Sequence, residues 1–261
     1  MIVTAEDQSL LECAELLKHR LWTHSVQLFC ASDTHPGRLN PFASGVLVRF
    51  GGDTFIFSAA HVFAALKDKA LWVEASNRLV ELPTVPVSIT GTPEMGNHED
   101  DPLDAAVCLL PADIPQEWMM RAFDISTSDF IVGHEAPRYL LCGYPANRTG
   151  IDGWKQQVST ERKVLICSEV DDCVYVKTRY DKSTHLLLNW QSKWRTATGW
   201  HWDRNLKGAS GGAIWRFNPF TDAAELAAIF TECTMPSGGA RVLVGTRLPI
   251  HLELARRASI Q

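Results

Sequence analysis

Short apolar runs, separated by turns that contain Gly or Pro, extend over most of this 261-residue chain. Most of the runs are too short for a helix, and they recur at the spacing expected of strands. About six come before residue 115, at 26–31, 44–50, 55–57, 71–73, 85–89 and 105–110. The second half adds runs at 139–142, 163–167, 173–178, 185–189, 212–217, 226–230 and 241–244. This pattern predicts an all-β fold, either a sandwich or barrels.

The two ends of the chain carry the pattern of helices instead. Residues 4–22 place Leu10, Ala14, Leu17 and Leu21 at helical spacing on one face. Two roles are open for this N-terminal helix: packing against the strands, or serving as a docking or regulatory arm. Residues 249–258 are predicted to form a C-terminal helix.

The segment Gly208-Ala209-Ser210-Gly211-Gly212 indicates chemistry. Its small residues leave the Ser210 hydroxyl uncrowded, and its glycines allow backbone N–H groups to turn toward one point beside that oxygen. An acyl-transfer nucleophile with an oxyanion hole needs this arrangement. Because Gly-Ser clusters also form ordinary turns, the segment alone leaves both interpretations open.

A serine nucleophile needs a base, and that base needs a carboxylate to orient it. His61 is the candidate base, because it follows a strand-like apolar run and the small residues Ala59 and Ala60. Asp104 is the candidate carboxylate, at the start of the apolar run 105–110, where it is costly unless hydrogen-bonded. Taken singly, a structural buried histidine and a turn aspartate are the alternatives.

Together these segments resemble the motifs of the trypsin-like serine peptidase family. Ser58-Ala59-Ala60-His61 is similar to its (S/T)-A-A-H motif, and Asp104-Ala105-Ala106-Val107 to its D-x-A-(V/L) segment. The loop around Ser210 resembles its G-x-S-G-G loop. The order His, Asp, Ser along the chain is also that of chymotrypsin. The resemblance implies a serine endopeptidase that acts on a protein or peptide substrate, with two six-stranded antiparallel β-barrels and no cofactor.

The resemblance also implies which parts of the chain act. The N-terminal helix at 1–24 would precede a first barrel at 25–125, and the second barrel with the C-terminal helix would occupy 126–261. His61 and Asp104 would come from the first barrel and Ser210 from the second. The backbone N–H groups of Gly208 and Ser210 would form the oxyanion hole.

Positions close to Ser210 bear on regulation and specificity. Secreted relatives carry an aspartate before the nucleophile, which pairs with a new N-terminal amine after activation; Ala209 cannot make that ion pair. Arg204 stands at the position that forms the bottom of the specificity pocket in digestive members of the family. An arginine there would favour an acidic or polar substrate side chain. A solvated arginine is the alternative, and a shift of one residue would put Asp203 there instead. His201 is a weaker rival to His61 as the base.

The segment 190–207 is rich in tryptophan. Trp190, Trp194, Trp200 and Trp202 lie among lysines and arginines there. Mixed aromatic and cationic side chains are typical of protein interfaces, although tryptophans could equally cover a barrel under a long loop. A regulatory partner protein is therefore conceivable. The alternative function is a catalytically silent or latent trypsin-fold module that binds a partner through this loop, and an esterase is a third interpretation.

Composition argues against several other classes. The net charge is −5 and no basic run reaches four residues, so nucleic-acid binding is not expected. No apolar stretch approaches the roughly 20 residues that cross a bilayer, no secretory signal is recognisable, and no metal-ligand spacing is present. Seven scattered cysteines without a C-x-x-C pair indicate free thiols in a reducing cytoplasm. Within the family this favours an intracellular, bacterial member.

Overall fold

The protein is mostly β-strand, arranged as two antiparallel sheets that curl into half-barrels. The prediction of a mostly β fold is confirmed. The computed structural model describes residues 5–35, 37–66, 69–75, 78–82, 86–91, 101–127, 137–146, 149–152, 157–160, 163–190, 193–196, 199–202, 206–218, 220, 223–235 and 241–260.

The first sheet contains eight strands. Seven follow one another in the order β5 (Arg78–Leu82), β4 (Leu71–Ala75), β1 (Ser25–Ala31), β2 (Leu39–Phe50), β3 (Asp53–Ala59), β7 (Ala105–Leu109) and β6 (Val87–Ile89). The eighth, β8 (Phe123–Asp124), pairs in parallel with β2. The structure has seven strands before residue 115 where the sequence predicted about six; the additional one is β5, which pairs with β4 although polar residues interrupt its apolar run.

The second sheet contains six strands. Their order is β12 (Lys163–Ser168), β9 (Arg138–Gly143), β16 (Ala213–Phe217), β17 (Ala224–Thr234), β18 (Val242–Arg247) and β13 (His185–Asn189). Two hairpins stand outside it: β10 (Thr149–Asp152) with β11 (Gln157–Thr160), and β14 (Lys193–Thr196) with β15 (Gly199–Trp202). The second hairpin lies in the Trp-rich segment, which the sequence had suggested to be a loop.

One predicted strand is wrong. Within 173–178 the chain forms a single helical turn, α4 (Asp172–Val176), and not a strand. Tyr175 is the buried residue of this turn, and its hydroxyl accepts the Leu187 N–H at 2.8 Å, while Val176 is 86% exposed. An apolar run of this length does not distinguish a strand from one turn of helix.

Helices pack on the two sheets. They are α1 (Ala5–Trp22), α2 (Ala60–Ala64), α3 (Gln116–Arg121) and α5 (Leu248–Ala258). One buried cluster combines Leu17 of α1, Phe57 of β3, Trp215 of β16 and Ala255 of α5. Because side chains alternate along a strand, Ile56 faces the separate core of the first sheet. The N-terminal helix therefore packs on the sheets, the first of its two predicted roles.

Candidate active site

His61 and Asp104 form a hydrogen-bonded pair at one end of the first sheet. His61 follows β3 and Asp104 precedes β7, and these neighbouring strands pair Ala59 with Ala105. His61 Nδ1 lies 2.7 Å from Asp104 Oδ2, and the His61 backbone N–H donates to Oδ1 at 2.9 Å. Because an ionised carboxylate can only accept, Nδ1 carries the proton, and Nε2 of the neutral ring is left to act as a base.

The turn before Asp104 is held by side chains of the second sheet. Asp104 has a φ of +44°, a left-handed conformation that Asp tolerates better than most residues. From the second sheet, His185 Nε2 donates to the carbonyl of Pro102 at 2.6 Å, and Thr246 Oγ1 donates to the carbonyl of Leu103. Burial lowers the pKa of His185, which favours the neutral ring in this position.

Ser210 lies in the turn before β16. Its Oγ donates a hydrogen bond to the carbonyl of Thr231 at 3.0 Å. Among the residues that the structure describes, it makes no hydrogen bond to His61, although His61 and Ser210 line the same groove. The structure thus brings His61 and Ser210 to one groove, with Asp104 hydrogen-bonded to His61 and the serine hydroxyl engaged by a backbone carbonyl.

The fully buried Ser44 of β2 connects the first sheet to the Ser210 loop. Its hydroxyl donates to the Gly208 carbonyl at 2.9 Å and accepts the Tyr144 N–H at 2.9 Å. Its backbone N–H donates to the Ser210 carbonyl at 2.8 Å, and its own carbonyl accepts the Ser58 hydroxyl at 2.9 Å. Every polar group of Ser44 is therefore used, as burial of a polar residue requires.

The two remaining carbonyls of the loop are also hydrogen-bonded. The Lys207 carbonyl accepts the Ala146 N–H at 2.9 Å, and the Ala209 carbonyl accepts the Gly212 N–H at 2.8 Å. All four carbonyls from 207 to 210 thus have a donor. Because C=O and N–H point in opposite directions across a trans peptide, the N–H of the next residue is directed away from each of these donors.

Within 208–212, two N–H groups have no hydrogen-bond partner among the described residues: those of Gly208 and Ser210. Ala209, between them, donates its N–H to the Leu206 carbonyl at 2.8 Å and closes a turn. Gly208 is the third residue of that turn, and its φ of +91° is typical of a type II turn with glycine there. Two free N–H groups beside a hydroxyl can receive a developing negative charge.

An unpaired strand edge borders the groove. β17 pairs with β16 up to Ile229, and beyond that point its residues 232–234 pair with β18 alone. Thr231, Glu232 and Cys233 line the groove together with Ser210. In the described part of the chain, no strand occupies the other side of 231–234. An edge of this kind can pair with an extended peptide.

Glu232 and Arg241 both line this groove and differ in whether their charge has an ionic partner. Glu232 accepts hydrogen bonds from the Tyr180 hydroxyl and from Arg179, the latter at 3.2 Å. Arg241 lies over the ring of the buried Trp190, 5.3 Å from its centroid, and has no carboxylate partner among the described residues. Glu232 is thus paired with a cation, whereas Arg241 is not paired with a carboxylate in the described part of the chain.

A buried histidine of the C-terminal helix lies behind the pair. His251 Nε2 donates to the carbonyl of Ser58 at 3.1 Å, and the ring stacks on Phe57 with centroids 5.5 Å apart. Burial lowers the pKa of His251 to about 4. The ring is therefore uncharged near neutral pH and adds no second positive charge beside His61.

Several predicted residues lie elsewhere. Arg204 and the alternative Asp203 fall outside the described residues. His201 lies in β15, opposite Trp194 in the hairpin register. In the ranges that the structure covers, no cluster of three or more His, Cys, Asp or Glu side chains could hold a metal ion. No helix in those ranges has the length and apolar character needed to cross a membrane.

Sequence reasoning missed Ser44 and Thr231. Ser44 begins a predicted strand run, and a polar residue in that place is also common at an exposed strand end. Its one signal is that it stands directly before a long apolar stretch, 45–48. Thr231 acts through its backbone carbonyl, which leaves no trace in the identity of its side chain.

Comparison with known proteins adds no assignment to this geometry. Neither a protein-family model nor a curated protein matches the chain.

Proposed function

We propose that this protein is a trypsin-like serine endopeptidase with Ser210 as nucleophile, His61 as general base and Asp104 as the residue that orients the base. The observation that carries the proposal is the single groove that Ser210 shares with the hydrogen-bonded His61–Asp104 pair. The three sequence motifs that resemble the family supply these same three residues, which come from distant parts of the chain.

The proposed reaction begins with a rotation of the Ser210 side chain. The hydroxyl leaves the Thr231 carbonyl and donates to His61 Nε2. As Ser210 Oγ bonds to the substrate carbonyl carbon, its proton passes to Nε2, and Asp104 stabilises the resulting imidazolium. His61 then protonates the leaving amine as the C–N bond breaks. Water repeats the two proton transfers and releases the acyl group from Ser210.

The free N–H groups of Gly208 and Ser210 serve as the oxyanion hole in this proposal. Within 208–212 they are the two donors without a described partner. One belongs to the proposed nucleophile itself, and the other lies two positions before it. A pre-oriented donor of this kind typically contributes about 10²- to 10³-fold to turnover. No metal or organic cofactor takes part in any step.

The unpaired edge of β17 favours a peptide over a simple ester as the substrate. An extended peptide can exchange backbone hydrogen bonds with 231–234 and so bring a carbonyl to Ser210. A small ester has no backbone to pair with this edge. Substrate recognition through the strand edge thus separates the endopeptidase from the esterase interpretation.

The proposal extends to architecture and location. The two sheets would correspond to the two barrels of the family, at 25–125 and 126–261, with the helix at 1–24 packed on their seam. All seven cysteines lie in described ranges and are free, which supports a reducing compartment such as the bacterial cytoplasm.

A second candidate is a latent or silent module. It is favoured by one observation, the hydrogen bond from Ser210 Oγ to the Thr231 carbonyl, which occupies the hydroxyl proton that His61 would have to accept. In this alternative the groove binds a partner, and catalysis is absent or waits for that partner.

Labelling with a fluorophosphonate probe separates the two candidates. The wild-type protein is expected to gain one covalent adduct, detected by intact mass, whereas S210A gains none and H61A reacts at a strongly reduced rate. A matched pair of substrates, an extended peptide anilide and a small ester, then tests the substrate class. Wild-type protein that forms no adduct and cleaves neither substrate would contradict the enzyme and leave the silent module.

A further inference from the structure

We propose that Ser44 is the positioning residue of the oxyanion loop, so that its hydroxyl keeps the Gly208 N–H directed toward the substrate. This inference rests on the proposed function, because it concerns how the same site is held ready. Ser44 belongs to the first sheet and the loop to the second, so the contact joins the two halves at the catalytic point.

The loop has a competing conformation that would remove the oxyanion hole. The turn 206–209 is of type II, and a type I turn differs from it by rotation of the central peptide, here Lys207–Gly208, through about 180°. After that rotation the Lys207 carbonyl would point where the Gly208 N–H now points. A carbonyl oxygen would then repel the oxyanion, so the orientation of this one peptide decides whether the site is competent.

One hydrogen bond opposes the rotation directly, and a second fixes the peptide that follows. The Ala146 N–H holds the Lys207 carbonyl at 2.9 Å, on the side opposite the Gly208 N–H. The Ser44 hydroxyl holds the next carbonyl, that of Gly208, at 2.9 Å. The same hydroxyl accepts the Tyr144 N–H at 2.9 Å, two residues before Ala146, and so joins both anchors.

Among these contacts Ser44 Oγ is the one side-chain atom. The other donors to carbonyls 207, 209 and 210 are backbone N–H groups of described residues. The position Ala209 contributes a methyl group packed against Gly143 and has no polar atom with which to fix the loop. A substitution of Ser44 can therefore release the loop while the sequence of the loop itself stays unchanged.

The test compares S44A with S25A. Ser25 is an equally buried serine of the same sheet, but its hydroxyl has no hydrogen-bond partner among the described residues. S44A is expected to lower kcat about 10- to 100-fold with KM within about twofold, because the lost interaction matters in the transition state. S25A is expected to keep the wild-type values.

The inhibition constant of a peptide boronic acid provides a second measurement, which would not change if Ser44 had only a structural role. The boronic acid forms a tetrahedral adduct with Ser210 that uses the oxyanion hole, so its inhibition constant should weaken in S44A by the same factor as kcat/KM. S44C, which keeps a weaker hydrogen-bonding group, should fall between wild type and S44A, and it serves if S44A does not fold.

Equal kcat and equal boronate affinity in folded S44A, S44C and S25A would overturn the inference. Failure of the wild-type protein to label or cleave would instead contradict the proposed function. The two failures are thus distinguishable.

Discussion

The two halves of the candidate site are built in different ways. In the first sheet, His61 and Asp104 are joined by their side chains, with the carboxylate accepting from both the ring and the backbone N–H of His61. In the second sheet, the Ser210 loop is fixed by its backbone, and its one reactive side chain donates to the Thr231 carbonyl instead of to the histidine. The proposed base is thus already paired with its carboxylate, whereas the proposed nucleophile would have to rotate toward the histidine.

This difference shows where each half is vulnerable. In the first half a change of one side-chain atom alters the chemistry and leaves the fold in place. In the second half, where glycine conformations and carbonyl contacts carry the geometry, a change of side chain disturbs the fold itself.

Asp104→Asn should lower turnover by about 10⁴-fold and leave the free energy of unfolding nearly unchanged. The amide oxygen would stay on the His61 backbone N–H, so the NH₂ group would face Nδ1 and force the ring proton onto Nε2, where no base remains. Peptide-cleavage kinetics and urea unfolding measure the two effects. Full activity in this variant would contradict the assignment of Asp104.

Gly211→Ala should destabilise the fold by about 3–5 kcal/mol. Gly211 has a φ of +84°, and a Cβ there would collide with the Ser44 carbonyl and the Ser58 hydroxyl. Gly52→Ala is the matched control, because its φ of +96° imposes backbone strain with nothing within 4 Å of the added atom. Urea unfolding should separate the two variants; equal losses would mean that the loop is not tightly packed.

Acid should lower the free energy of unfolding through protonation of His251. Its ring stays neutral in the folded protein down to about pH 4, whereas in the unfolded chain it protonates near 6.5. Protons therefore bind the unfolded chain preferentially, and stability falls as the pH drops from about 6.5 to about 4, by about 3 kcal/mol for this residue.

His251→Gln is the variant that tests this dependence. Glutamine retains an N–H donor for the Ser58 carbonyl but does not titrate, so the loss of stability between pH 6.5 and 4 should be smaller than in the wild type. Unfolding curves measured across that range provide the test. An unchanged slope would mean that other groups cause the acid sensitivity.

Arg241→Glu should produce the smallest effect, on specificity alone. The Arg241 guanidinium lines the same groove as Ser210, so we expect it to favour peptides with an acidic side chain, and charge reversal should shift the ratio of kcat/KM for acidic over basic peptides by about tenfold. Unaltered fluorophosphonate labelling is the control for an intact nucleophile. An unchanged ratio would remove Arg241 from substrate recognition.

The sequence allowed the strand-rich fold to be predicted because its apolar runs are short and regularly broken. It also indicated His61, Asp104 and Ser210, since their chemistry resides in side chains that appear in the sequence. The hold on the oxyanion loop could not be predicted, because Ser44 is 164 residues from the carbonyl that it binds. The α4 turn was missed since the burial of one tyrosine, and not the pattern of its neighbours, decides its conformation.

The hydrogen bonds that hold the Asp104 turn determine when this turn becomes fixed during synthesis of the chain. The Leu103 carbonyl is held by Thr246, 143 residues later in the chain. A nascent chain that has completed the first sheet therefore already contains both His61 and Asp104, but the turn between them lacks its anchors from the second sheet. In the proposed enzyme the Asp104 turn is complete only after β18 has docked, so a chain that ends before β18 is expected to be inactive.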